Sequence, residues 1–257
     1  MSQIRSIKGT HDILPADSQK WQRLEQIVRS VCNQFGYEEI RTPVFEETRL
    51  FSRSVGEDTD IVSKEMYSWE DKDGTSLTLR PELTASVVRA YIQHNLGGQA
   101  PVQRLYYMGP LFRRERPQKG RQRQFHQFGV EVIGSENPVA DVECIAFMMR
   151  IYQRIGIKNF NLKLNSVGDP ESRENYKSVL KEYLEPHLEK LSELSQKRFD
   201  TNPMRILDSK EPEDQEFIQS APVISDHLNE ESKEHFAQVC EMLSSLNIEY
   251  TLDPLLV

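Results

Sequence analysis

In "QFHQFGVEVI", residues 124–133, strict alternation puts Phe125, Gln127, Gly129 and Glu131 on one side of a strand. His126, Phe128, Val130 and Val132 fall on the other side, which is mostly apolar and suited to packing under helices. The first side has two readings: a solvated strand face, or the floor of a pocket. As a floor, Glu131 accepts a donor, Gln127 offers both a donor and an acceptor, and Gly129 leaves the backbone open to a ligand. The preceding segment, "QRLYYMGPLFR", repeats the pattern with Tyr107, Gly109, Leu111 and Arg113 on one face. Arg113 can grip a phosphate or carboxylate with a two-pronged fork.

Between these segments lies "RRERPQKGRQR", in which Arg113, Arg114, Arg116, Lys119, Arg121 and Arg123 are opposed only by Glu115. A run of this kind reads as a solvated hairpin tip or as a clamp for a polyphosphate. In the second reading Gly120 frees the loop to fold over its ligand, and Phe125 stacks on a base. No GxxxxGK[ST] or GxGxxG is present, so a P-loop or Rossmann phosphate cradle is not expected. A further constellation is "TLRPELTAS", residues 78–86. Glu82 and Thr84 near a helix start serve either as a capping device favoured by the helix dipole or as receivers of an ammonium group. His11, His94, His187, His227 and His235 are isolated and lack metal-ligand spacing.

The elements that must hold these groups follow from periodicity. Residues 18–35 predict a helix with Trp21, Leu24, Ile27, Val28, Val31 and Phe35 on one face, capped by Asp17 or Ser18 and ended by Gly36. "YEEIRTPVFEE" reads as a strand in which Pro43 demands an edge or a bulge. Asp73-Gly74 predicts a tight hairpin turn between "MYSW" and "SLTLR", after a polar loop beginning at "SVGEDTD". Pro81 is expected to open a helix reaching about Asn95, and Asn137-Pro138 one that closes near Gly156. "NFNLKLNS" and "NIEYTLDPLLV" read as strands, residues 170–227 as a helical insertion, and 230–246 as a further helix. Hairpins interleaved with helices point to an α+β fold with an antiparallel sheet.

Composition sets the outer bounds. The chain has 257 residues, 32 Lys+Arg against 40 Asp+Glu, and a net charge of -8, which argues against nonspecific wrapping of nucleic acid but permits one local anion site. No segment approaches the apolar length of a membrane span, and the N-terminus lacks a signal-peptide core. Cys32, Cys144 and Cys240 are unpaired by spacing, as expected of free thiols in a reducing, cytoplasmic setting; no protein-bound metal is expected.

The segment "FRRERPQKGRQRQFHQFGVEVIG" resembles motif 2 of the class II aminoacyl-tRNA synthetases, and in detail that of the histidyl-tRNA synthetase family. "LRPELTA" resembles that family's histidine-binding segment, and "KGTHDILP" its N-terminal signature. "FGYEEIRTPVFEETRLFSRSVGEDTDIVSKEMYSWEDKDG" is similar to motif 1 and the loop after it. The resemblance implies a mainly antiparallel six-stranded sheet flanked by helices, a catalytic core over residues 1–169, a helical insertion over 170–227 and a return to the core over 228–257. It implies ATP-dependent activation of histidine, with Mg2+, followed by transfer to the 3′ end of tRNA(His), and a homodimer formed through motif 1. Carried over by position, Arg113 holds the α-phosphate and the attacking carboxylate, Glu115 reads the adenine amino group, Phe125 stacks on adenine and Arg121 grips the ATP tail. Glu82, Thr84 and Gln127 take the α-amino end of histidine, and Glu131 faces the imidazole. On this reading Arg113 and Gln127 are the catalytic pair.

The sequence departs from the family at "LDPLLV", where the family continues into an Arg-Gly-x-x-Tyr-Tyr segment, motif 3 and an anticodon-binding domain. The expectation is an N-terminal catalytic fragment, truncated before motif 3 and impaired in catalysis. Two rivals stand beside it. The histidine-sensing regulatory subunit of ATP phosphoribosyltransferase shares this domain but has no need of an intact motif 2. A general RNA-binding module explains the cations but not the Glu82, Gln127 and Glu131 set.

Overall fold

A computed structural model describes residues 4–55, 62, 65–116 and 118–257. These form two compact units: one holds the chain up to Glu136 together with Phe147–Gly156, the other Asn137–Ala146 together with Ile157–Val257.

The first unit carries the long hairpin. Strands β5 (Gln103–Phe112) and β6 (Gln124–Ile133) pair antiparallel along their full length, with Tyr107 opposite Gly129 and Gly109 opposite Gln127. Helix α1 (Pro15–Gln34) starts at Pro15, with Leu14 at the cap position and no side-chain cap, so neither Asp17 nor Ser18 fills that role. Proline at the first helical position needs no donor there, and Asp17 instead lies in the first turn, where its charge suits the dipole. Gly36 ends the helix in the left-handed region at φ 72°, a conformation that costs glycine little. Val28, Val31 and Cys32 of α1 pack with Tyr37, Tyr106, Phe147 and Ile151, and Phe128, Val130 and Val132 of β6 lean on the same cluster. This is the apolar side of the alternation. Tyr107, Leu105 and Leu111 of β5 pack on the opposite side with Leu83 and Val87, and Phe125 leans on them.

The strand read in "YEEIRTPVFEE" is broken. β1 (Glu38–Glu39) runs parallel to β5, whereas β2 (Phe45–Glu47) pairs antiparallel with β4 (Ser76–Leu79) in a different sheet. Pro43 lies in the gap, where its missing N–H breaks no ladder. Helix α2 (Thr48–Val55) follows β2. The hairpin of β3 (Tyr67–Glu70) and β4 turns at Asp73-Gly74 as expected, with Gly74 at φ 85° and the Asp73 carboxylate accepting from Thr75 N–H at 2.9 Å. The loop at 56–61, 63 and 64 lies outside the described residues. The hydrogen bonds divide the described strands into two three-stranded sheets and one two-stranded pair, an α+β arrangement in which no single six-stranded sheet is closed.

The second unit is mainly helical. α5 (Pro170–Leu184), α6 (Glu193–Thr201), α7 (Pro212–Gln219) and short 3-10 turns enclose Tyr176, Leu180, Leu184, Ile206, Ile218 and Ile224. Asp169 caps α5, Ser192 caps α6 and Asn229 caps α8 (Glu230–Ser245), each accepting an N–H three residues on. Each such cap contributes about 1 kcal/mol. Helix α4 (Pro138–Ile155) lends Val142 to a second cluster with Val239 and Leu243 of α8. The strands read near 160 and 250 shrink to β7 (Lys163–Leu164) and β8 (Thr251–Leu252), paired in parallel.

Candidate active site

The sheet face of the first unit gathers most of the chemistry. Helix α3 begins at Thr84 and runs to Gln93, so Pro81 does not open it; Pro81 lies buried in the bend before it. The helix start is thereby moved to a place where Thr84 reaches the sheet. Thr84 Oγ1 donates to Glu131 Oε1 at 2.8 Å, and Tyr107 Oη donates to the same oxygen at 3.2 Å. Among the described residues nothing donates to Glu131 Oε2. Glu82 accepts Ala85 N–H on both carboxylate oxygens, at 3.0 and 3.2 Å, so the capping reading of this residue is realised. Burial pushes the Glu82 carboxyl above its usual range, and the Glu131 charge adds to that, against the pull of the Ala85 and Thr84 N–H groups. Burial likewise pushes the Tyr107 phenol up to about 12, so it stays a donor at neutral pH.

The glycines of the two strands do not leave open space above the backbone. A Cβ on Gly129 would lie 2.4 Å from Tyr107 Oη, and one on Gly109 would lie 2.6 Å from Arg80 Nη2. The reason is register: Tyr107 stands directly opposite Gly129, and an aromatic ring laid across a strand glycine buries the bare backbone of its partner. The space over these glycines is therefore filled by a buried phenol and a buried guanidinium rather than left as exposed peptide. Gln127 is exposed, and its amide makes no hydrogen bond to the described residues.

The basic loop joins this floor at its end. Arg113 Nε donates to Pro81 O at 2.9 Å, and its guanidinium carbon lies 5.2 Å from the centre of the half-buried Phe125 ring. Arg113 and Arg121 flank Glu115, with N–O separations of 4.0 and 3.2 Å. Gln118 and Arg121 close a tight turn around Gly120, at φ 84°. The backbone of the N-terminal signature reaches the loop as well: Gly9 O accepts from Arg123 N at 2.7 Å and from Gln124 N at 3.3 Å. Arg114, Arg116 and Lys119 are exposed, and Pro117 lies outside the described residues.

One buried cation escaped the reading of the residues. Arg80, 5% exposed, donates from Nη1 to Thr42 O at 2.9 Å and Pro43 O at 3.2 Å, and from Nε to Pro110 O at 3.0 Å. Burial draws its pKa down, though a guanidinium remains charged. The sequence signal was faint: a lone arginine at a strand end before proline.

Taken together the residues offer one carboxylate with a free oxygen, one carboxylate with a raised pKa, an amide without a partner among the described residues, and two arginines, of which Arg113 lies beside an aromatic ring. That set suits a zwitterion next to a phosphate. A family model described as histidyl-tRNA synthetase matches residues 9–257. The curated "Histidine--tRNA ligase" of Chloroherpeton thalassium is 53% identical over 255 residues, covering 99% of this chain and 60% of that relative. That of Bacillus subtilis is 52% identical, covering 97% and 59%. Among solved structures, apo histidyl-tRNA synthetase of S. aureus superposes with a TM-score of 0.79 at 44% identity, covering 99% of this chain and 58% of that one. A Bacillus halodurans protein described as an ATP phosphoribosyltransferase regulatory subunit/histidyl-tRNA synthetase shares the fold, with a TM-score of 0.68 at 24% identity. The chain spans about 60% of the length of the curated relatives it matches.

Proposed function

Because the chain belongs to the histidyl-tRNA synthetase family, we propose that it carries the substrate-holding half of an ATP-dependent histidine–tRNA ligase, an aminoacyl-tRNA ligase. The observation that carries this is the hydrogen bond from Arg113 Nε to Pro81 O. It fastens the anion-binding arginine to the segment that presents Glu82 and Thr84, so one rigid corner faces both an ammonium and a phosphate.

In this reading Glu82, Thr84 and Gln127 receive the α-amino end of histidine and the free oxygen of Glu131 faces the imidazole. Arg113 draws the histidine carboxylate towards the α-phosphate of ATP, Glu115 reads the adenine amino group, Phe125 supports the adenine ring and Arg121 holds the far phosphates. The substrate carboxylate forms the new bond to phosphorus and pyrophosphate leaves, so the protein supplies position and charge rather than a nucleophile. The tRNA 3′ hydroxyl then attacks the activated carbonyl and AMP leaves. Mg2+ enters as part of the nucleotide: Arg113 and Arg121 match phosphate oxygens, and the ion adds charge neutralisation to the departing pyrophosphate when bound.

The finer organisation belongs to the same proposal. The division is a catalytic core over 1–169, an insertion over 170–227 that meets tRNA, and a return over 228–257, with the strands belonging to one mainly antiparallel six-stranded sheet in the whole protein. A homodimer through motif 1 is supported by Val44, Phe45 and Trp69, which are 38, 51 and 41% exposed on the β2–β3 side. No helix among the described residues is long and apolar enough to cross a membrane, and free cysteines suit the cytoplasm. The regulatory-subunit reading has less support, since its likeness is one of fold.

The test is histidine-dependent exchange of label between pyrophosphate and ATP by the complete gene product. Arg113→Ala should lower kcat/KM by roughly 100-fold or more, the scale of losing a group that stabilises transition-state charge. Exchange unaffected by Arg113→Ala, or absent from the wild type with histidine, overturns the reading.

A further inference from the structure

Arg80 lies outside the proposed substrate contacts, yet it is the most constrained cation in the first unit. Its side chain spans three backbone carbonyls that no strand ladder joins: Thr42 and Pro43 beside the broken edge segment, and Pro110 near the end of β5. Its own main chain extends the same junction. Arg80 N donates to Val44 O at 3.0 Å, and Arg80 O accepts from Phe112 N at 3.1 Å. The next residue, Pro81, accepts from Arg113 Nε. Thus the dipeptide Arg80-Pro81 is tied twice to the dipeptide Phe112-Arg113, once through main chain and once through the arginine proposed to hold phosphate.

Gly109 completes the fixture. Arg80 Nη2 occupies the volume a Cβ at 109 would need, 2.6 Å away. Glycine at this position is required by the guanidinium above it and not by a turn. A buried cation facing carbonyl oxygens also has no cheap alternative position, because any shift strands charge in a dry site.

We infer that Arg80 is a positioning residue: seated over Gly109 and clamped to the Thr42, Pro43 and Pro110 carbonyls, it sets where the Arg113 guanidinium stands. This rests on the synthetase reading for its catalytic consequence, but not for its geometry. The geometry predicts that changes on either side of the contact have the same effect. Arg80→Gln removes the fork; Gly109→Ala pushes it aside while leaving the arginine itself unmutated. Both should lower kcat for histidine-dependent exchange, per active site titrated by adenylate burst, by roughly 10- to 100-fold, the cost of a misplacement near 1 Å. KM for ATP and histidine should change far less. The double variant should be no worse than Arg80→Gln alone, because the new methyl then meets no guanidinium.

A second measurement does not depend on activity. The Arg113 Nε–H signal in a 15N NMR spectrum, assigned by its loss in Arg113→Lys, should be protected from solvent exchange in the wild type. It should lose that protection in both single variants. Should wild-type exchange be absent, the functional reading fails and the NMR signal alone decides the inference. Retained Nε–H protection in both variants overturns it, as does unchanged kcat per titrated site with a lowered Tm.

Discussion

Asp214, in the helical unit, accepts four hydrogen bonds: from Ser192 N–H at 2.8 Å and from the hydroxyls of Ser192, Ser195 and Ser209 at 2.8, 2.7 and 2.5 Å. Glu131, on the sheet, accepts two, both on Oε1. Asp214 is fully buried, whereas Glu131 is half-buried. A carboxylate with both oxygens engaged by its own chain holds a fold together. One with an oxygen to spare is oriented but still able to bind. The difference separates a structural charge from a receiving one without reference to either residue's place in a motif.

The contrast is broken most forcefully at Asp214. Asp214→Ala leaves two buried hydroxyls, the half-buried hydroxyl of Ser192 and an N–H without their acceptor and should cost about 3 kcal/mol or more. For a chain of this size the fall in Tm is roughly 6–12 °C, read by thermal circular dichroism. Burial alone would raise the Asp214 pKa, but the donors from Ser209, Ser192 and Ser195 more than offset it and hold the carboxyl low. With the folded pKa depressed, the stabilisation is present above the ordinary aspartate value and is lost as pH falls through the depressed one. An unchanged Tm in Asp214→Ala would remove the distinction.

Glu131→Gln sharpens it from the other side. Thr84 and Tyr107 can still donate to the amide oxygen, so Tm should move by less than about 2 °C, while a charge-assisted bond to ligand worth roughly 1.5–3 kcal/mol is lost. KM for histidine should therefore rise on the order of 10- to 100-fold. A Tm collapse with KM intact would make Glu131 a second Asp214.

How far this was readable beforehand depended on whether a feature is local. The alternation that puts Gln127 and Glu131 on one face is visible in the sequence, because a strand's period is fixed at two. The filling of the space over Gly129 and Gly109 was not, because it depends on which residue of β5 stands opposite which of β6 and on where Arg80 arrives from another sheet. Pro43 announced a break, but not that the two pieces would join different sheets. Proline before Glu82 suggested a helix start, and the start fell at Thr84 once Glu82 was engaged in capping Ala85.

Glu82 gives an intermediate case with a smaller expected effect. Its pKa is raised from the ordinary 4.5, chiefly by burial. Between the ordinary and raised values the native state holds a proton that the unfolded chain has released. Stability from this group is thus complete below 4.5 and is lost as pH rises through the raised value. Histidine capture runs oppositely, since only the ionised form attracts an ammonium. Titration of histidine binding against pH should show affinity falling on the acid side of that raised pKa, and Glu82→Gln should flatten both dependences. A wild-type binding curve that is flat across that range would show that Glu82 takes no part in binding.

The smallest effect is expected at Arg121. Its side chain is 60% exposed, so although its partner Glu115 is only 13% exposed, solvent screens the pair from the arginine side and it adds about 0–1 kcal/mol to stability. Arg121→Ala should leave Tm unchanged. If the loop is a phosphate clamp, KM for ATP rises a few-fold, and the increase shrinks with added salt because exposed charges are screened over about 10 Å at 0.1 M. If the run is only a solvated tip, KM for ATP stays put at every ionic strength. Arg116→Ala, at an exposed position without an assigned ligand, supplies the reference: equal responses at 116 and 121 would mean that the loop contributes net charge alone, whereas a response confined to Arg121 places the receiving function at that side chain.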